Sequence, residues 1–181
     1  RNIGISKSKG KFLAFCDADD IWAKNKLQIQ TNFMKKKKIS FSHSSYNIIN
    51  FNDKKIGSFS IKEKLSYQDL IKSCDIGLST VMIIKNLINK KNKFCDLKTK
   101  EDYFLWLQII KKIKLIYGLN KNLVSWRYNK GSLSDSFFQK VIDSFKLYYV
   151  YEKYNIFISL FYVIRLSLYA LVKKIKIYKL L

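Results

Sequence analysis

The chain has no proline, one histidine, and only 13 acidic residues against 35 basic ones. Its three cysteines, Cys16, Cys74 and Cys95, are odd in number, and none stands in Cys-x-x-Cys spacing. That usage writes no disulfide framework and suits a reducing cytoplasm. Cys16 follows an apolar stretch and reads as a core thiol. The lone histidine, His43, sits in a strand-like segment and reads as a structural group rather than a metal ligand. The missing proline goes with a chain dominated by Lys, Ile and Asn, the usage an AT-rich genome writes on any solvated surface. The formal charge of +22 therefore does not by itself call for nucleic acid. No RNA- or DNA-reading motif is present, and apart from the run Lys35 to Lys38 the lysines are scattered. An anionic membrane surface remains open as a partner. No signal peptide opens the sequence. At 181 residues and 48% hydrophobic, the chain is one globular domain with a core.

What is present is concentrated in Phe12-Leu13-Ala14-Phe15-Cys16-Asp17-Ala18-Asp19-Asp20-Ile21-Trp22. An apolar run, read as a buried strand, ends in three carboxylates within four positions. Three such charges repel unless something positive neutralises them, and hard divalent cations prefer carboxylate oxygens. Mg²⁺ typically takes one or two carboxylates together with substrate phosphates. Ligands of open α/β sheets sit at such strand ends. A plainer reading has Asp19 or Asp20 capping a helix from about Ile21 to Lys38. In that helix Ile21, Leu27, Ile29 and Phe33 are the expected buried positions. An EF-hand loop is excluded because Trp22 and Gln28 stand where Gly and Glu are required. An aspartyl-phosphate phosphatase wants Gly-Thr after its acids, and Asp20-Ile21 stands there instead, so that class stays a weak alternative.

The wider string is Arg1-Asn2-Ile3-Gly4, Lys9-Gly10-Lys11-Phe12-Leu13-Ala14-Phe15, Asp17-Ala18-Asp19-Asp20-Ile21-Trp22, then Lys26-Leu27 and Gln30. It resembles family 2 glycosyltransferases. The resemblance implies an α/β GT-A fold, a nucleotide-diphospho-sugar transferase, Rossmann-like, with a mixed sheet flanked by helices. It implies transfer of a sugar from a nucleotide-sugar, a UDP-sugar by expectation, with Mn²⁺ or Mg²⁺ joining the diphosphate to the acids. Asp17 and Asp19 are the expected donor-binding residues, and Asp19 and Asp20 the expected metal ligands. Because the string begins in mid-motif, the sequence is expected to lack the first strands of that fold and its N-terminal segment.

Further along, Ile39 to Ile49 reads as a strand, Asn50 to Ser60 as a turn and short strand, and Tyr67 to Lys72 as a short helix capped by Ser66. Ile76 to Ile84 reads as a buried strand, and the family resemblance, which places this segment near the acceptor, implies Ser79 and Thr80 as weaker acceptor-binding candidates. Lys100-Glu101-Asp102-Tyr103-Phe104-Leu105-Trp106 opens an amphipathic helix to about Ile113. Acids there suit a helix N-terminus, and a positioned carboxylate also serves as a general base toward a hydroxyl. The string is similar to the family's Glu-Asp-x-x-Leu-Trp motif. That similarity implies Asp102 as catalytic base, with Glu101 and Trp106 toward the acceptor, although Leu105, Trp106, Ile109 and Ile110 also fit core positions. Val124 to Ser134 is similar to a loop that closes over the diphosphate, which implies Arg127 on phosphate oxygens. Ser132 and Ser134 also match that loop, and Asn129 replaces the usual His.

Two parts are expected: residues 1–150, a partial GT-A domain, and residues 151–181, an amphipathic C-terminal helix. Ile156 to Val172 is apolar and aromatic around Arg165, and Lys173, Lys174 and Lys176 follow. Seventeen residues with a central arginine are poor for crossing a bilayer, and the expected place is the membrane interface. The whole reads as a metal-dependent, inverting transferase. It would act on a cell-envelope glycan or lipid-linked acceptor at the inner face of the cytoplasmic membrane. The rival is a non-catalytic remnant of the fold that binds membranes.

Overall fold

The structure, a computed structural model, describes residues 1–89, 92–129 and 136–178, with side chains as far as 173. Ser132 and Ser134 lie outside the described residues. In chain order the elements are α1 (Asn2–Lys7), β1 (Phe12–Ala14), β2 (Ile21–Trp22), α2 (Lys26–Lys37), β3 (Phe41–Ile49), β4 (Lys55–Phe59), β5 (Lys64–Ser66) and α3 (Tyr67–Leu70). They continue with β6 (Met82–Ile84), α4 (Glu101–Ile113), β7 (Leu115–Arg127), α5 (Phe137–Lys146) and α6 (Ile156–Tyr178).

One mixed sheet carries all seven strands in the order β1-β6-β3-β7-β2, with β4 also on β3 and β5 also on β7. Among the described residues only β3 and β7 pair in parallel. The far edge of β3 takes β6 at Phe41–Ser42 and then β4 at Tyr46–Ile49. The far edge of β7 takes β5 and then β2 in the same way. This central pair therefore spans the sheet, and every β3 residue except the half-buried Asn47 is buried.

The core forms where α4 lies on the sheet. Tyr103, Leu105, Trp106, Leu107, Ile109 and Ile110 are completely buried. Trp106 meets Phe41 edge-to-face at 5.1 Å between ring centres, with Phe15 and Phe94 at 6.1 and 6.2 Å. An indole enclosed this way packs the core, which corrects the expectation that Trp106 contacts an acceptor. His43 is also fully buried, and burial pushes its pKa down to about 4, so the ring is neutral. Its ring nitrogens take no protein hydrogen bond among the described residues.

Several local expectations match. Ser66 and Asp69 close a capping box on α3, and α4 runs over the expected span. The helix expected from Ile21 starts instead at Lys26, because Ile21–Trp22 pairs with Ser125 and Val124 of β7. Neither Asp19 nor Asp20 caps it, and Asn25 holds that position. Its buried face is also different, with Ile21 and Leu27 exposed and Lys26, Gln30 and Met34 inside. Polar bonds decide this. Lys26 Nζ lies 4.3 Å from the Trp22 ring centre and donates to Gln30 Oε1 at 2.7 Å. Gln30 Nε2 donates to the Thr80 carbonyl at 2.9 Å and to Ser42 Oγ at 3.2 Å. Burial holds the Lys26 pKa down at about 8. The strand after the first helix ends at Ala14, which leaves Cys16 exposed rather than in the core. A single 3₁₀ turn, Leu78–Thr80, precedes β6 where one continuous strand was expected.

Gln30→Ala should lower the unfolding free energy by about 2 kcal/mol, because it leaves buried partners unsatisfied. Thermal unfolding by circular dichroism should show a drop of about 4–8 °C.

Candidate active site

The acidic turn is built by bonds from three directions. Within the turn, the Asp20 amide donates to the Asp17 carbonyl at 3.1 Å. From the 3₁₀ turn, Ser79 Oγ accepts the Asp17 amide at 3.0 Å, and its carbonyl accepts Trp22 Nε1 at 3.0 Å. From the end of β7, the Arg127 amide donates to Asp20 Oδ1 at 3.0 Å and Arg127 Nε to the Asp19 carbonyl at 2.9 Å. The rest of the guanidinium reaches the β3–β4 turn. Nη1 donates to the Asn50 carbonyl at 2.9 Å, and Nη2 pairs with Asp53 at 2.6 Å. Arg127 is thus committed to protein oxygens. It fixes the turn, and the expected phosphate contact is not what this geometry shows. Asn129 Nδ2 donates to Asp19 Oδ2 at 3.0 Å, which accounts for an amide where a histidine was expected.

Arg1 is the residue that sequence reasoning missed. It pairs with Asp17 at 2.9 Å and also with Glu101, so one guanidinium joins the two acidic motifs. Asn2 fastens α1 beside it, exchanging two hydrogen bonds with the Phe94 backbone at 2.9 and 3.1 Å. The signal lies in Arg1-Asn2 itself, a cation beside an amide, whose partners Asp17, Phe94 and Glu101 are distant in sequence. Glu101 is engaged by Arg1 and so serves the scaffold of the site.

Asp17, Asp20, Ser79, Thr80 and Asp102 line one cavity of about 400 Å³. The two acidic motifs, about eighty residues apart in sequence, therefore share a chamber. Thr80 is almost fully buried in its wall, and its hydroxyl donates to the Gly77 carbonyl at 2.6 Å. The carboxyl of Asp102 is half-buried at the first turn of α4. Burial, then the neighbouring Glu101 charge, raises its pKa to about 6, against an opposing hydrogen bond from the Tyr103 amide. The Asp20 pKa is also raised by burial, against hydrogen bonds from Ser79 and the Arg127 amide. A carboxyl with a pKa near 6 is suited to take a proton near neutral pH.

Among the described residues no three His, Cys, Asp or Glu side chains gather as a ready cage for a metal ion. The donors on the turn are hard carboxylate oxygens. They fit a Mg²⁺ or Mn²⁺ ion held by one or two carboxylates and completed by ligand phosphates, and not an ion enclosed by protein.

The sequence model described as Glycosyl transferase family 2 matches residues 1–95. A relative from Escherichia coli is named UDP-Glc:alpha-D-GlcNAc-diphosphoundecaprenol beta-1,3-glucosyltransferase WfgD. It is 37% identical over 143 residues, 78% of this chain and 55% of the relative. The putative teichuronic acid biosynthesis glycosyltransferase TuaG of Bacillus subtilis is 31% identical, over 75% of this chain and 54% of its own length. The chain spans about half the length of these curated relatives. The crystal structure of S. aureus TarS, residues 1–349, superposes with a TM-score of 0.54 at 18% identity, over 80% of this chain and 42% of TarS. That likeness shows the fold alone, and it is the GT-A fold that the sequence implied.

Asp102 holds its proton longer in the folded chain than its ordinary value of 3.8 allows in the unfolded one. The native state then binds more protons between about pH 4 and 6, so stability should fall as pH rises through that window. Urea titrations should show the slope, and Asp102→Asn should make it shallower, leaving the smaller part that the buried Asp20 contributes in the same direction.

Proposed function

The chain belongs to glycosyltransferase family 2, and from that premise we propose that it is the catalytic part of an inverting transferase. Its substrates are a UDP-sugar and a lipid-linked acceptor of cell-envelope glycan assembly. The observation that carries this reading is the single cavity shared by the acidic turn and Asp102. The UDP-sugar and the lipid-linked acceptor come from relatives such as WfgD, whose name specifies both.

Asp102 takes the proton from the attacking acceptor hydroxyl. The acceptor oxygen bonds to the anomeric carbon as the nucleoside diphosphate leaves from the opposite face, which inverts that carbon. Asp17 lines the donor end of the chamber, and Asp19 stands beside it on the same turn. Asp19 would help hold a divalent cation, whose role is to neutralise the leaving diphosphate. Asp20 lines the chamber and also braces the turn through the Arg127 amide on one oxygen, so Asp19 and Asp20 together are the pair that would hold the cation. Arg1 keeps Asp17 and Glu101 in register, which sets the donor end of the chamber against the base.

We place the protein on the inner face of the cytoplasmic membrane. Ile156–Lys173 has a mean hydropathy of 1.8 and is long and apolar enough to cross a bilayer by length and composition. Its packing favours lying in the interface instead. Ser159, Val163 and Leu166 face the domain, and Arg165 Nη2 donates to the Ile71 carbonyl at 3.2 Å. Phe157, Phe161 and Ile164 face outward at 81, 60 and 61% exposure.

Calorimetry with UDP and Mn²⁺ should show metal-dependent binding. Absence of UDP binding together with intact vesicle binding would mean a non-catalytic membrane module. In a transfer assay Asp102→Asn should cut turnover by about 10²- to 10⁴-fold while donor binding persists, and the wild-type rate should rise with pH through about 6. Turnover retained in that variant would remove Asp102 as the base. Phe157→Asp with Phe161→Asp should strongly reduce sedimentation with phosphatidylglycerol vesicles, with the melting temperature unchanged.

A further inference from the structure

The cavity that holds the three aspartates is also lined by three lysines, Lys100, Lys140 and Lys173. They come from three different elements. Lys100 immediately precedes α4 and the base Asp102. Lys140 lies on α5, which is clamped to the segment before α4. There the Thr99 amide and Thr99 Oγ1 both donate to Asp143 Oδ2, at 2.9 and 2.8 Å. Lys173 lies on α6, where Leu166 and Ala170 also line the chamber.

Lys173 is held in place rather than waving in solvent. Its Nζ lies 3.3 Å from Asp75 Oδ1, 3.4 Å from the Cys74 carbonyl and 3.8 Å from the Phe59 ring centre. Both oxygen contacts are longer than the 2.6–2.9 Å bonds that commit Arg127 to the protein, so this oriented ammonium can still turn a proton toward a phosphate oxygen. A neutral sugar requires none of these cations. The donor diphosphate is expected at the acidic turn with its metal. The lysines lie on the walls contributed by α5, α6 and the segment before α4, and α6 turns its opposite, apolar face outward. A ligand that fits this sequence of surfaces carries a sugar hydroxyl at Asp102, an anionic group at the lysines and a hydrocarbon chain along α6.

We propose that Lys100, Lys140 and Lys173 form an anion subsite that binds the diphosphate of a prenyl-linked acceptor and leads its lipid out beside α6. The assignment rests on the transferase reading and names the acceptor group that the same chamber recognises. It separates two diphosphates by place, with the donor's at the acidic turn and the acceptor's at the lysines.

The test is isothermal titration of the whole chain, in Mn²⁺, with farnesyl diphosphate, farnesol, inorganic pyrophosphate and UDP. Farnesyl diphosphate should bind more tightly than either farnesol or pyrophosphate. Lys100→Gln, Lys140→Gln and Lys173→Gln should each weaken farnesyl diphosphate about tenfold and leave UDP within twofold. Equal affinity for pyrophosphate or for farnesol overturns the proposal, as do unchanged variants. A parallel loss of UDP affinity assigns the lysines to the donor and overturns it too. If wild type binds farnesyl diphosphate through the lysines but not UDP, the transferase reading fails while the subsite stands. Lys173 also bonds Asp75, so Lys100→Gln decides the matter if the Lys173 variant melts early.

Discussion

Asp20 is drawn from water against the end of β7, where its carboxylate accepts the Arg127 amide. The same arginine grips the Asp19 carbonyl and the turn between β3 and β4. Three carboxylates in four residues would otherwise spread apart through mutual repulsion. Their separation is set by backbone amides, the Asn129 side chain and the guanidinium groups of Arg1 and Arg127, so the charges are in place before a cation arrives. The 3₁₀ turn at Ser79 belongs to the same knot, and through Thr80 and Gln30 it reaches α2. Acidic turn, sheet and second helix are therefore one hydrogen-bonded body.

The chamber places opposite charges on different walls. Asp17 and Asp20 line it at the turn, Asp102 at the head of α4, and lysines from α5, α6 and the segment before α4. Reactions between two anionic substrates need such an arrangement, because a uniformly basic site would hold both in the same place. The burial that raises the Asp102 pKa makes its carboxylate a stronger base than an exposed one.

The periodic and motif-bearing parts of the fold were legible in the sequence. The Ser66–Asp69 cap, the apolar face of α4 and the strand at Phe41–Ile49 follow from short-range chemistry, and each stands where expected. The failures share one physical cause, a polar side chain with distant partners. Lys26 and Gln30 displaced Leu27 from the inner face because carbonyl and hydroxyl groups fifty and twelve residues away complete their bonds. Arg127 was recognised as a cation but not as a clamp, because its acceptors lie on a turn more than seventy residues earlier. Trp106 shows the opposite case. Its place in a motif suggested contact with a ligand, whereas its helical phase put it in the core.

Arg165 sits in the middle of an otherwise greasy helix, its guanidinium 4.4 Å from the Tyr162 ring centre and within reach of the Ile71 carbonyl. A helix without such a group is free to roll about its long axis, since one oily side serves as well as another. This key and Lys173, which bonds Asp75 further along, fit fixed keyholes and so fix the angle at which α6 is presented. The domain, and not the surrounding medium, thereby chooses which flank looks outward. With Lys173 bonded to Asp75 from the same helix, the orientation of the domain relative to any surface that flank meets is set by two cations turned the other way.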